Sequence, residues 1–349
     1  MDITFLVGNG FDLSLGYKTS YKDFYESYLQ QPNDPDHEDA ILRLKDSINE
    51  DRKNGYKNWS DFEIGLGKLS QSFSPDEAGE FVDACSDAFK YMIHYLRHLP
   101  RKKDIDVLSE DQWNDVRKNL YNFHQETREE DKRFFSRLRR DEEEHGIESR
   151  FHFVSFNYTY FLDDYIAKIA KKPLKIWKHT SGEKKHILDT TVYHVHGSLD
   201  EYPIVGLSNE DQFTNRTILT SDYLRQTLIK PNGIKEIRSP RYSEVKDTIN
   251  KSRIVCLWGL SLGASDKHCW NYINKWLKDD PNRSLIIFEY TDNPPDNTLI
   301  PDYYQKRRIV AYRLLDHSNY TKQEKQALLD RIFVVFNTEK VLIFPPYFY

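Results

Sequence analysis

Residues 1–16 read MDITFLVGNGFDLSLG, and this stretch decides the fold. The apolar run 3–7 stops at Gly8-Asn9-Gly10, and a helical pattern follows soon after. A buried strand feeding a glycine turn and then a helix is the geometry that cradles a phosphate. The glycines let the backbone come close, and free N–H groups at the helix start face an anion. A full Gly-x-Gly-x-x-Gly fingerprint would place a third glycine at position 13, but that residue is Leu13 and the next glycine is Gly16. The turn alone fits a nucleotide site and a plain tight turn equally well.

Working outward, other apolar runs end in small or polar loops. Residues 151–156 (FHFVSF) end at Asn157-Tyr158-Thr159, and 192–195 end at His196-Gly197-Ser198. Residues 254–258 meet a second glycine-and-serine loop, Gly259 to Asp266. Further strands are expected at 175–178, 204–207, 285–288, 309–312 and near 341–344, with a polar loop at 181–185. Between them lie helical patterns. Residues 21–29 carry Tyr21, Phe24, Tyr25, Tyr28 and Leu29 on one face, after Ser20 and Asp23 at capping-box spacing. From 41 to 146 every signal is helical, including a single long piece over 110–140. Helices are also expected after Thr159 through about 170, over 220–229 and 241–251, and over 322–333.

Short apolar runs alternating with helices predict an α/β fold, a parallel sheet covered by helices on both faces. The expected organisation is a core of residues 1–30 and 147–349 with a helical insertion at 31–146. In such sheets ligands sit outside the carboxyl ends of the strands, so the four loops should share one edge.

Composition narrows the classes. A net charge of -5 and a pI near 6.2 do not mark a general nucleic-acid binder. No apolar run approaches the ~20 residues that span a bilayer. The N-terminus lacks a basic region, a long apolar stretch and a small-residue cleavage site, so a cytoplasmic protein is expected. Three widely spaced cysteines, Cys85, Cys256 and Cys269, fit a reducing compartment.

GNGFD, FNYT, HVHGS and WGLSLGASD, in that order, resemble the AbiH family of bacterial abortive-infection proteins. Their order and spacing also resemble the sirtuin-like, Rossmann-type NAD-binding core. The first resemblance runs the length of the chain through short motifs; the second covers the four loops. It implies that Gly8, Asn9 and Gly10 line the NAD pyrophosphate, and that Ser261 and Gly263 contact the phosphates or the adenosine ribose. Asn157 would hold the nicotinamide-side ribose and a water, and His196 would act as base. Asp266 could hold the adenosine ribose. The departures exclude deacylation: three cysteines cannot build the four-cysteine zinc module of sirtuin deacylases, so no zinc is expected, and their proline-aspartate-phenylalanine-arginine run is missing. What remains is hydrolysis of NAD to nicotinamide and ADP-ribose by an anti-phage effector. The alternative is a sensor or scaffold that binds a nucleotide without turnover. Either implies NAD or a related nucleotide as ligand and assembly with copies of the chain or a defence partner, with no membrane and no direct nucleic-acid binding.

The chemistry is coherent without the family. Cleaving an N-glycosidic bond passes through an oxocarbenium-like centre and needs a placed water and a base. An amide such as Asn157 donates and accepts at once, and a histidine such as His196 takes a proton near neutral pH. Plainer readings stand beside each residue. Asn157 and Asp266 could cap the helices that follow them. His194 and His196 have the spacing of some metal ligands. Asp61 and Glu63 could reach the pocket or merely cap. Asp12 is the puzzle, because a carboxylate beside a diphosphate repels it; it could cap a helix, hold a ribose hydroxyl or bind a metal-bridged ligand.

Overall fold

The computed structural model describes residues 1–53, 55, 62–99, 108–238, 240–296, 299–338 and 340–342. Six parallel strands form one sheet: β1 (Asp2–Val7), β2 (Arg150–Ser155), β5 (Ile187–His194), β6 (Ser252–Trp258), β7 (Ser284–Glu289) and β8 (Ile332–Phe336). Their spatial order is β5-β2-β1-β6-β7-β8. Two short strands, β3 (Ile176–His179) and β4 (Gly182–Lys185), form a separate antiparallel hairpin, so part of the expected polar loop at 181–185 is paired backbone. Because the sheet grows from β1 towards β5 and then resumes at β6 on the other side of β1, the chain reverses direction between β1 and β6. That is a topological switch point, where two loops diverge and leave a crevice.

The near-continuous apolar runs of these strands follow from burial on both faces. Ile3, Phe5, Val7, Phe151, Phe153, Ile254 and Cys256 enter one core, while Leu6, Val154, Val255 and Leu257 enter another. The alternation is the period-2 pleat of a strand. Along the chain, α1 (Gly10–Ser14) leaves β1 directly. Helices α2 (Tyr21–Tyr28), α3 (Glu38–Lys53), α4 (Phe62–Leu69) and α5 (Ala78–Arg97) follow. Then α6 (Glu110–Tyr121) and α7 (Glu129–Glu144) join α8 (Phe161–Ile169) on the first face of the sheet. After β5 come α9 (Asp222–Leu228) and α10 (Lys230–Glu236). The opposite face is covered by α11 (Arg241–Lys251), α12 (Lys267–Asp279), α13 (Ile300–Leu315) and α14 (Lys322–Leu329). A third apolar cluster joins α2–α5 to the returning chain at 205–229, with Phe24, Phe62, Phe81, Phe213 and Leu224 in it. The stretch 31–146 therefore divides: 110–144 packs on the sheet, and 38–97 packs with the segment after β5.

Several expectations are corrected. The long helix over 110–140 is two helices, because Asn122 closes α6 and Phe123 drops fully into the sheet core, its ring edge-on to Phe5 at 5.5 Å. The apolar seam resumes on a new axis. Residues 309–312 are not a strand but part of α13: Val310, Ala311, Leu314 and Leu315 are buried while Ile309 is exposed, which is helical spacing. The last helix ends at Leu329, and Ile332–Phe336 is the edge strand β8. Residues 204–207 form no strand; Leu207 makes an isolated bridge with Ile229, and the Ile204 N–H donates to the His196 carbonyl at 2.8 Å. Gly206 sits at φ +155, where a Cβ would lie 2.3 Å from the Leu228 carbonyl oxygen. Val341 and Leu342 are buried outside any strand, and 343–344 lie outside the described residues, as do Trp59, Ser60 and Asp61. No helix among the described residues is long and apolar enough to cross a membrane.

Candidate nucleotide cleft

The four loops do meet at one edge, since β1, β2, β5 and β6 run parallel in one sheet. At the switch point the loops after β1, β2 and β6 frame a cleft of about 620 Å³ lined by residues that include Gly8, Asn9, Gly10, Asn157, Ser261 and Asp266, while residues 196–198 after β5 do not line it. That volume lies in the range of small-molecule sites. Tyr21 and Glu63 line it from the helical layer, and Glu289, Tyr290 and Arg313 from the far side. Of the residues expected at the site, Asp12, His196 and Gly263 are not on the cleft wall.

The glycine turn is tighter than a phosphate cradle. Gly8 N–H donates to the Trp258 carbonyl at 2.9 Å, Gly10 N–H to the Gly259 carbonyl at 3.0 Å, and Phe11 N–H to the Gly8 carbonyl at 3.0 Å. Of the N–H groups of residues 8–11, only that of Asn9 has no acceptor among the described residues. The Asn9 side chain pins the next loop instead, donating to the Thr19 carbonyl at 2.9 Å and accepting from the Thr19 hydroxyl at 2.6 Å. Contrary to expectation, this turn's N–H groups are mostly spent on stitching β1 to β6.

Donors are abundant on the other turn. Gly259 at φ +63 and Leu262 at φ +56 bend the loop. The carbonyl of Leu262 is held by His317 Nε2 at 2.9 Å and that of Gly263 by Trp270 Nε1 at 2.7 Å. None of the backbone N–H groups from Leu260 to Ser265 has an acceptor among the described residues. A run of free N–H groups in a turn suits an anion. Arg313 adds a guanidinium at the rim, paired with Glu289 at 3.0 Å.

Asn157 does not cap α8, whose N-cap is Tyr160. Its amide Nδ2 donates to the Gly8 carbonyl at 3.2 Å and to Asp12 Oδ1 at 3.0 Å. Asp12 is 1 % exposed, so it lies behind the cleft and not beside a diphosphate. His194 Nδ1 donates to the Asn157 carbonyl at 2.8 Å, and its Nε2 lies 3.1 Å from Asp163 Oδ2. Burial works against charge on His194, but Asp163 outweighs it and raises the imidazole above its usual range.

Asp266 stands at the N-cap of α12 without capping it through its side chain. Lys230 Nζ instead bridges Asp266 Oδ1 and Glu63 Oε2, each at 2.7 Å, and the Gly206 N–H donates to Glu63 Oε1 at 3.0 Å. Lys230 is 1 % and Glu63 4 % exposed. Burial disfavours the Lys230 ammonium, but Asp266 and Glu63 outweigh it and raise it well above its usual range. Burial would likewise raise Asp266, but Lys230 and His196 hold it well below the usual carboxylate range. His196 is 3 % exposed, with Nε2 2.9 Å from Asp266 Oδ1 but off the line of a hydrogen bond, and neither ring nitrogen has a hydrogen-bond partner among the described residues. Burial, reinforced by Lys230, holds its imidazole below the usual range. With His196 neutral, one ammonium faces two carboxylates, so this wall carries one net negative charge.

Glu63 was weighed at the sequence level mainly as a cap; Lys230, Tyr290 and Arg313 were missed. Lys230 follows a largely polar helix with nothing to mark it as buried, and Arg313 lies just past the segment 309–312 read as a strand. No group of three or more histidine, cysteine, aspartate or glutamate side chains among the described residues is arranged to hold a metal ion.

No curated protein matches the chain at a significant level. The family described as Bacteriophage abortive infection AbiH matches residues 4–288, a span from the first strand to the end of the fifth strand of the sheet. The chain therefore belongs to the AbiH family.

Proposed function

We propose that the switch-point cleft binds NAD or a closely related nucleotide and hydrolyses its N-glycosidic bond to nicotinamide and ADP-ribose, as the effector step of an abortive response to phage. The observation that carries this reading is the convergence of Gly8–Gly10, Asn157 and the Gly259–Asp266 loop around one cleft at the switch point. Counted within the sheet, the strand order is 3-2-1-4-5-6, the order of doubly wound dinucleotide-binding sheets, in keeping with a sirtuin-like core. The cleft is also electrostatically divided. The free N–H groups of Leu260, Ser261 and Ser265 and the Arg313 guanidinium suit a diphosphate, and the net negative Glu63–Lys230–Asp266 cluster suits the positive charge that develops at C1′. In the reaction, water oxygen bonds to C1′, the electron pair of the C1′–N bond returns to the nicotinamide ring, and the water proton passes to a base. Asp266 stands on the cleft wall between that water and His196; Lys230 holds its carboxyl well below the usual range, so the proton passes by way of Asp266 to His196.

The position of His196 favours a second reading, binding without turnover, because a base sealed behind the wall touches no ligand. Chromatographic measurement of nicotinamide release, beside calorimetric titration with NAD and ADP-ribose, separates the two. Hydrolysis predicts nicotinamide from wild type and little from Asn157→Ala or Asp266→Asn. Binding without product supports the sensor, and absence of binding removes both.

A further inference from the structure

We propose that Asp12 is a positioning residue: it fixes the Asn157 amide with its carbonyl oxygen towards the cleft, so that Asn157 recognises a hydrogen-bond donor on the ligand, a hydroxyl or a bound water. The identity of that donor as a ribose hydroxyl or the attacking water rests on the nucleotide reading above; the orientation does not.

The two ends of an amide are told apart by their partners. Asn157 Nδ2 has two hydrogens and meets two groups that only accept, the Gly8 carbonyl and Asp12 Oδ1. The reversed amide would set a carbonyl oxygen against a carbonyl and a carboxylate, with every contact repulsive. Asn157 Oδ1 accepts no hydrogen bond among the described residues, and Asn157 lines the cleft. What the side chain offers a ligand is therefore an acceptor.

The surroundings hold this arrangement from every side. Asp12 Oδ2 accepts from the Thr159 hydroxyl at 2.6 Å. The Asn157 backbone is fixed by its N–H on Ser155 Oγ at 3.1 Å and by His194 on its carbonyl. Both neighbours of the His194 ring, a carbonyl and the Asp163 carboxylate, only accept, so the imidazolium form, donating from both ring nitrogens, is the one this setting favours. The charged groups facing Asp12 are thus His194 on β5, which favours its ionised form, and Asp163 on α8, which opposes it. Burial is the largest influence and pushes Asp12 up to about 7, against the hydrogen bonds from Thr159 and Asn157. Ionised Asp12 accepts on both oxygens and holds the amide most firmly; protonated, it keeps one accepting oxygen for Asn157, and the Gly8 carbonyl still takes the other amide hydrogen.

Two measurements test this. In side-chain amide NMR near pH 8, the Asn157 amide protons, assigned by their loss in Asn157→Asp, should be protected from exchange in wild type and lose that protection in Asp12→Leu. By calorimetry near pH 8, ADP-ribose affinity should fall about tenfold or more in Asp12→Leu and in Asn157→Asp. Asp12→Asn keeps an oxygen that accepts from Asn157 and should stay within about threefold of wild type. Asn157 amide protons equally protected in wild type and Asp12→Leu overturn the proposal, as does a natively folded Asp12→Leu that binds ADP-ribose like wild type. If wild type binds no nucleotide, the nucleotide reading fails while the NMR comparison still decides the role of Asp12.

Discussion

Replacing Lys230 with methionine keeps the length of the side chain and removes its charge. The ammonium lies 2.7 Å from both Glu63 and Asp266, and all three groups are largely withdrawn from water. Deleting one partner of a buried ion pair costs about 3–5 kcal/mol, because the other is left as an uncompensated buried charge. Here two carboxylates are left, so Lys230→Met is expected to lie at the upper end of that range. Domains are stable by about 5–15 kcal/mol, which makes the loss large but measurable. Urea unfolding near pH 7, followed by the fluorescence of the buried Trp270 and Trp276, gives the number. The pairing argument adds a second requirement. Lys230→Met/Glu63→Gln removes one of the stranded charges and should recover at least about 1 kcal/mol over Lys230→Met alone. A Lys230→Met protein within about 1 kcal/mol of wild type, or a double variant less stable than the single one, would refute the account of this cluster as a charge-balanced unit.

Other substitutions probe the rest of the site. At Gly10 a Cβ would meet Gly259 Cα at 2.6 Å, so Gly10→Ala should cost about 1–3 kcal/mol in thermal unfolding, whereas Gly65→Ala on α4, with open space around its Cβ, should be neutral or stabilising. His194 is raised in the fold, so its pairing stabilises fully below its unfolded value near ~6.5 and fades as pH rises through the folded value; His194→Gln should therefore lose more stability near pH 5.5 than near pH 9. If Arg313 serves the diphosphate, Arg313→Gln should weaken ADP-ribose binding about three- to tenfold by calorimetry while the melting temperature holds, and unchanged affinity removes it from the site.

The sheet was legible because burial on both faces leaves unbroken apolar runs such as residues 151–156 and 254–258, and because each stops at glycine, asparagine or histidine. What period and composition do not carry is the distinction between two helices and one bent at Phe123, or between a buried strand and the inner stripe of α13, since a four-residue window fits either period. At the cleft, the loops that follow strand ends were visible from position, and within them the resemblance pointed to Gly8, Asn9, Gly10, Asn157 and Ser261, all of which line it. Glu63 and Lys230 come from elements far along the chain, and their role is set by a mutual contact that only the folded chain creates. Asp12 was conspicuous as a misfit, and the fold turns it inward, where its partners are two neutral donors and not a phosphate.

The glycine seam carries a consequence for how such a cleft can diversify. A Cβ on Gly8 would lie 2.5 Å from the Gly259 oxygen, and one on Gly259 would lie 2.9 Å from Gly10 Cα. The three positions are thus interlocked, and none can acquire a side chain unless the facing turn withdraws. At this seam the wall is main chain on both sides and offers selection little to alter. New ligand preferences arise instead from the side chains around it, such as Ser261, Tyr290 and Arg313, over a seam that stays the same.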